Sequence, residues 1–167
     1  MHRILALVLA LALAIGCCTA ALAEDTQMTI HEEKIPAGYS MTYSLTEEGG
    51  LQAVLASEDA ASPIIYFAIG LLDQDFTFDQ PLTEEELNAI TKELGTDYAD
   101  PQVKQQTAEN GLCVVSVEEK DVPYYADFFT AWQGYSIQLG LLKEEPLTEE
   151  DLAQALQLIS TLWTIAE

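Results

Sequence analysis

The sequence predicts an α+β fold, an antiparallel sheet of about six or seven strands packed with two helices. Three observations carry that expectation. Apolar and polar residues alternate over strand-length stretches, as in Tyr39, Met41, Tyr43 and Leu45. Pairs of these stretches are separated by turn signals short enough to force a hairpin, which joins antiparallel neighbours. Two segments, PLTEEELNAI from Pro81 and PLTEEDLAQA from Pro146, each read as a capped helix start followed by leucines at helical spacing.

The chain opens with MHR, a 12-residue apolar run from Ile4 to Ile15, and small residues ending in Ala-Leu-Ala at 21–23. A basic start, a short apolar run and an A-x-A ending are the parts of a secretory signal peptide. The run is too short for a membrane-spanning helix, which takes about 20 residues. Cleavage is expected after Ala23, leaving a single α+β domain over 24–167 and no integral membrane segment in the mature chain. A second reading takes AIGC, ending at Cys17, as a bacterial lipobox, which would leave the protein lipid-anchored at that cysteine. The brevity of the leader and its lone Arg3 look bacterial.

Tyr39 to Leu45 and Leu51 to Leu55 form the first predicted hairpin, turning at Gly49-Gly50. The mostly apolar run from Ile64 to Leu72 reads as a strand buried on both faces. Thr83 is placed to cap the first helix in a capping box with Glu86, while Leu82 and Leu87 form a hydrophobic staple. Leu87, Ile90 and Leu94 then mark a helical stripe ending at Gly95. Strands follow near Val103 to Thr107 and Leu112 to Glu118, turning at Asn110-Gly111. The stretch from Val122 to Leu142 reads as two strands turning at Gln133-Gly134, its aromatic content favouring strand over a helix face. Thr148 caps a closing helix over 149–164, with Asp151 in the capping box, Leu147 stapled to Leu152, and a stripe of Leu152, Leu156, Ile159 and Trp163.

The second half of this order echoes the first. TEEGGL from Thr46 matches TAENGL from Thr107, AIGLL from Ala68 matches QLGLL from Gln138, and the two helix starts match, at offsets of 61, 70 and 65 residues. Duplication of one unit, giving halves 36–95 and 102–164, would explain the shared order. Chance likeness between short capping and hairpin signals is the competing explanation.

The IPAGYSMTY opening from Ile35, LTEEEL from Leu82, GYSIQLGLL from Gly134 and ALQLISTLW from Ala155 together resemble the PsbP-like superfamily. That α/β sandwich is shared by an extrinsic photosystem II protein, a Ran-binding nucleotide-release factor and many bacterial secreted proteins and lipoproteins. The resemblance spans Ile35 to Trp163 and rests on patterns of burial and capping. It implies a scaffold, and it carries over no functional residue.

Charge narrows the function. The chain has 28 acidic residues against six basic ones, a net charge of −22, and its one arginine, Arg3, lies in the leader. Nucleic acid binding rests on phosphate neutralisation by Lys and Arg, so no nucleic acid partner is expected. The acidity itself reads as a solvated surface, or as a field that draws cations.

Chemistry-bearing residues are few. Past the leader one histidine, His31, and one cysteine, Cys113, remain, too few for a Cys/His zinc cage, and no G-x-S-x-G, H-E-x-x-H, P-loop or G-x-G-x-x-G is present. No catalytic residue and no cofactor are assigned, and Cys113 reads as a small buried hydrophobe. Asp73, Asp75, Thr77, Asp79 and Glu84 occupy positions 1, 3, 5, 7 and 12 of a calcium loop, but Phe78 stands where the turn needs glycine. Six aromatics fall between Tyr124 and Tyr135. Tyr124, Tyr125, Phe129 and Trp132 are the candidates for partner binding, with core packing as the other use of the same residues. The function expected is a secreted non-enzymatic binding or envelope-accessory protein, its partner an unknown protein or small ligand. A carboxylate-based hydrolase and an acidic cation-binding surface protein are the alternatives.

Overall fold

A computed structural model describes residues 27–46, 50–72, 77–94, 101–119 and 124–166. The leader, with its cleavage and lipidation sites, lies outside them, as do Gly49, Asp73, Asp75 and Gly95.

The elements are β1 (Gln27–Ile30), a 3-10 turn (Glu32–Lys34), β2 (Tyr39–Leu45), β3 (Leu51–Ser57), β4 (Ile64–Leu71), α1 (Glu84–Leu94), β5 (Gln102–Thr107), β6 (Cys113–Glu119), β7 (Tyr124–Trp132), β8 (Tyr135–Lys143), α2 (Glu149–Thr161) and β9 (Trp163–Ala166). Seven strands form one sheet in the order β2-β3-β4-β8-β7-β6-β5, and β1 pairs with β9 in a separate ribbon. Every neighbouring pair is antiparallel. The turns behave as their residues dictate. Gly111 takes φ +84° in the β5–β6 hairpin, and the Gln133-Gly134 turn holds both residues at positive φ.

The two helices cover opposite faces. Side chains of Leu55, Ile65, Phe67, Phe128, Leu139 and Leu141 point from β3, β4, β7 and β8 into one core, closed by Ala155, Leu158 and Ile159 of α2. On the other face Val115, Val117, Phe129 and Ala131 of β6 and β7 meet Phe78, Leu82 and the half-buried Leu87. That second core spans only the β5–β6–β7 half of the sheet. Consecutive aromatics in β7 therefore divide, Phe128 into the first core and Phe129 into the second, so both faces of that strand are core.

Both capping boxes form. The Thr83 amide donates to Glu86 Oε2 at 2.8 Å and the Glu86 amide to Thr83 Oγ1 at 3.3 Å. At α2 the Asp151 amide donates to Thr148 Oγ1 at 3.1 Å, and the Thr148 amide and hydroxyl donate to Asp151 Oδ2 at 2.8 and 2.9 Å. Leu147 and Leu152 both pack on the first core, as a staple requires. Thr148→Ala is expected to cost about 1 kcal/mol in urea unfolding and Thr148→Ser almost nothing, because serine keeps the accepting oxygen.

Lys143 Nζ reaches Asp151 Oδ2 at 3.0 Å, the two side chains being 10% and 13% exposed. Burial pushes the Asp151 carboxyl up, but hydrogen bonds from the Thr148 amide, the Lys143 ammonium and the Thr148 hydroxyl outweigh it and hold the carboxyl below its ordinary 3.8. A depressed carboxyl stabilises the fold above that unfolded value, and the contribution is lost as pH falls through the folded one. Lys143→Met is accordingly expected to cost about 1–2 kcal/mol at pH 7, between an exposed and a buried pair. The gap between variant and parent should close as acid protonates Asp151. Equal gaps in urea midpoints at pH 7 and in strong acid would refute the pairing.

The structure departs from the sequence expectation at the C-terminus. The closing helix stops at Thr161 rather than near 164, and Trp163 begins β9. Side chains take over the last carbonyls: Ser160 and Thr161 hydroxyls donate to Gln157 O at 2.8 Å each, and the Trp163 indole donates to Ile159 O at 2.6 Å. With those acceptors occupied, the β-branched Thr164 and Ile165 extend and pair with Thr29 and Met28. His31 is tied into this ribbon by its amide, which donates to Leu162 O at 2.8 Å, and by its ring, whose Nε2 lies 3.1 Å from Thr164 Oγ1.

Candidate functional site

Among the described residues α1 covers only half of its face, and no element packs over the β2–β3–β4–β8 half. The expectation that Ile64 to Leu72 is buried on both faces therefore fails for one of them. Ile65, Phe67 and Ile69 are buried, whereas Ile64 is 39% and Tyr66 43% exposed. The apolar run is continuous because its outward residues line a surface depression as well as a sheet face.

Cross-strand register places the residues of that depression. One row runs Val54, Tyr66, Gly140, Asp127 and Val117 across β3, β4, β8, β7 and β6. The next runs Gln52, Ala68, Gln138, Phe129 and Val115. Val117, Val115 and Phe129 belong to the core under α1, so Asp127 stands at the seam between covered and open halves. On the open side, a cleft of about 370 Å³ is lined by Gln52 to Val54 of β3, Tyr66 to Ala68 of β4, Tyr125 and Asp127 of β7, and Gln138 and Gly140 of β8. That volume suits a small ligand.

Asp127 and Tyr125 of β7 pack down over Gly140 of β8. A Cβ on Gly140 would come 2.9 Å from Asp127 Oδ1 and 3.6 Å from the Tyr125 hydroxyl. A glycine inside a strand weakens it and often marks the close approach of a ligand or another chain. Asp127 is 2% exposed, and Gln138 Nε2 donates to its Oδ1 at 3.2 Å. A carboxyl group so far out of water is held by hydrogen bonds or by an opposite charge.

The residues singled out in the sequence scatter. Of the four aromatic candidates, Tyr125 lines the cleft. Tyr124 is half-buried. Phe129 is in the core under α1. Trp132 stacks edge-on against Trp163, with centroids 6.1 Å apart. Of the calcium candidates, Asp79 and Glu84 are exposed, while Asp73 and Asp75 lie outside the described residues. Among the described residues no group of three or more His, Cys, Asp or Glu gathers to hold a metal. Cys113 is buried and free, and burial pushes its thiol up, against a smaller opposing hydrogen bond at Leu82, which disfavours the nucleophilic thiolate. The Tyr39 hydroxyl donates to Pro63 O at 3.0 Å, and burial raises its pKa.

Asp127 and Tyr66 were not among the sequence candidates. Asp127 is the one charged residue of the strand YYADFFTAW, a signal visible in the sequence. Tyr66 sits in an unbroken apolar run and gives no such signal.

No protein-family model matches the chain, and no curated protein matches it. Among solved structures, the fold is similar to the solution structure of cyanobacterial PsbP (CyanoP) from Synechocystis sp. PCC 6803. The likeness covers 92% of this chain and 99% of that one, at 11% identity and a TM-score of 0.46. It concerns the scaffold, and no residue of the cleft takes a role from it. Among the described residues no helix is long and apolar enough to cross a membrane.

Proposed function

We propose that this protein works by binding, as a secreted, non-enzymatic accessory of the bacterial cell envelope, and that the cleft on the open half of its sheet is the binding site. The observation that carries the reading is the cleft itself, a concave site of about 370 Å³ that joins aromatic and apolar walls to one buried carboxyl group. Hydrolysis of a glycoside by paired acids takes two carboxyl groups about 5–10 Å apart. The lining carries one, Asp127. The leader sequence supports export, and the acidic composition suits a protein that stays in solution there.

Two measurements test the reading. Expressed with its leader in a bacterium, the exported protein should have the intact mass of a chain beginning at Glu24. A product beginning at an acylated Cys17 would replace free secretion by anchoring. Amide NMR titration with a panel of small amines, sugars and amino acids should then move resonances of β3, β4, β7 and β8 around the cleft. Turnover of aryl glycosides that is abolished by Asp127→Asn would overturn the non-enzymatic reading. A saturable calorimetric response to calcium, with no small molecule binding in the cleft, would favour the acidic cation-binding alternative.

A further inference from the structure

We infer that the free edge of β2 is a second binding surface, separate from the cleft, which takes an extended cationic segment of another protein as an added strand. β2 ends the seven-stranded sheet, and among the described residues no strand pairs with its outer side. An edge of this kind presents unpaired N–H and C=O groups, and folded proteins usually blunt it with charged residues, proline or a bulge. The opposite edge, β5, carries Lys104 in mid-strand, held to Glu118 at 2.6 Å. The seven residues of β2, YSMTYSL, contain no charge, no proline and no glycine, and they pair with β3 without a bulge.

Register fixes which groups the edge offers. The Thr46 amide donates to Gly50 O at 2.8 Å, and in an antiparallel ladder hydrogen-bonded pairs recur at every second residue. Ser44, Thr42 and Ser40 therefore bond to β3, while Met41, Tyr43 and Leu45 turn their N–H and C=O groups outward. The side chains of those outward residues point to the α2 face, opposite Leu55, Ala53 and Leu51, which are buried. Met41 packs against the first core, but Tyr43 is 55% and Leu45 70% exposed. The core thus runs out at an uncovered apolar margin. A strand added beside β2 would extend it with its own alternate side chains.

Charge selects the occupant. A second copy brings another net charge of −22 to the contact, and like charges oppose it. A segment rich in Lys or Arg is drawn by the same field. Exposed Glu58 and Asp59 follow Ser57, the register partner of Tyr39, at one end of the edge. The partner that fits alternates apolar and polar residues along the length of β2 and carries basic residues at its ends, so that main-chain hydrogen bonds hold it and side chains on one face select it.

The probe is the synthetic peptide KKTVTVTVKK with blocked ends, added to the chain from Glu24 onward at physiological ionic strength and followed by amide NMR and hydrogen exchange. Saturable binding is expected, with exchange of the Met41, Tyr43 and Leu45 amides slowed about tenfold or more, while Ser40, Thr42 and Ser44, already bonded to β3, change little. KKTVPPTVKK keeps the charge but cannot extend as a strand, and EETVTVTVEE keeps the strand but reverses the charge. Each should bind about tenfold more weakly or not at all. Tyr43→Pro removes an outward N–H, which an edge strand tolerates, and should weaken KKTVTVTVKK by a similar factor. If Tyr43→Pro unfolds the protein, Tyr43→Lys takes its place, setting a like charge against the peptide. Equal binding of KKTVPPTVKK, or slowing without the alternation, means adhesion to an acidic surface and overturns the added strand. Equal binding of EETVTVTVEE overturns the cationic partner. Shifts confined to β4, β7 and β8 overturn the edge as the site, with the peptide then in the cleft. Slow exchange of the Met41, Tyr43 and Leu45 amides in the free protein means that the edge is already paired, by a second copy where sedimentation shows a dimer, and overturns the inference. So does the absence of saturable binding by all three peptides, which leaves the reading of the cleft untouched.

Discussion

Trp163→Ala is expected to lower the unfolding free energy by about 3–5 kcal/mol, the usual range for deleting a buried aromatic. Trp163 is 6% exposed and packs with the residues under α2. It makes three kinds of contact at once. Its indole donates to Ile159 O, its ring meets Trp132 edge-on at 6.1 Å, and its backbone pairs with Ile30 at the end of the β1–β9 ribbon. Removing the ring leaves a cavity at the junction of helix, sheet and ribbon, and it strips a carbonyl acceptor in the last turn of α2 of its partner. A fall in melting temperature of roughly 10 °C should accompany the loss. Hydrogen exchange gives an independent reading, because the amides of Gln27–Ile30 owe their protection to β9. Trp163→Phe should restore most of the packing but not the hydrogen bond, at a cost of about 1–2 kcal/mol. A loss under about 1 kcal/mol for Trp163→Ala, with β1 amides still protected, would mean that the ribbon does not depend on this side chain.

How far the sequence discloses this molecule depends on the range of the interaction that decides each feature. Capping boxes are local. Thr83 with Glu86 and Thr148 with Asp151 are three residues apart, and both form as the sequence suggests. Hairpins are nearly as local, so the strands from Tyr39 to Ser57 and from Gln102 to Lys143 fall close to their expected bounds. The β1–β9 ribbon is not local. Ile30 and Trp163 lie at opposite ends of the chain, and the helical spacing of Trp163 after Ile159 invited its inclusion in α2. Extension wins there because three side chains satisfy the terminal carbonyls and a partner strand is at hand.

The cleft was hidden for a related reason. Alternation within a strand shows which residues share a face, but it does not show which part of that face a helix covers. Phe129 and Tyr125 share the α1 face of β7, yet one is in a core and the other lines the cleft, because the cover ends between them. Asp127 marks the place where it ends. Its isolation among apolar neighbours in YYADFFTAW was legible, and its position over Gly140 was a fact of register between β7 and β8.

Phe67→Ala and Tyr66→Ala should separate stability from binding at adjacent positions of β4. Phe67 is 1% exposed, faces α2, and lies between Ala53 and Leu139 in register. Its truncation opens a cavity in the main core and should cost about 3–5 kcal/mol, read as a lower urea midpoint at unchanged slope. Tyr66 is 43% exposed on the opposite face, beside Val54 and Gly140. Its truncation removes one wall of the cleft and little buried area, so the cost should stay under about 1 kcal/mol. In the titration with small amines, sugars and amino acids the order should reverse: shifts of β3, β4, β7 and β8 should weaken more in Tyr66→Ala, which removes a cleft wall, than in folded Phe67→Ala, whose position borders the cleft but whose side chain belongs to the main core. Tyr66→Ala should melt near the parent temperature. A Tyr66→Ala protein as unstable as Phe67→Ala would mean that the supposedly open half of the sheet is covered in solution. Segments outside the described residues, or a second copy of the chain, would then be the cover to look for, and sedimentation of the parent protein would tell the two apart.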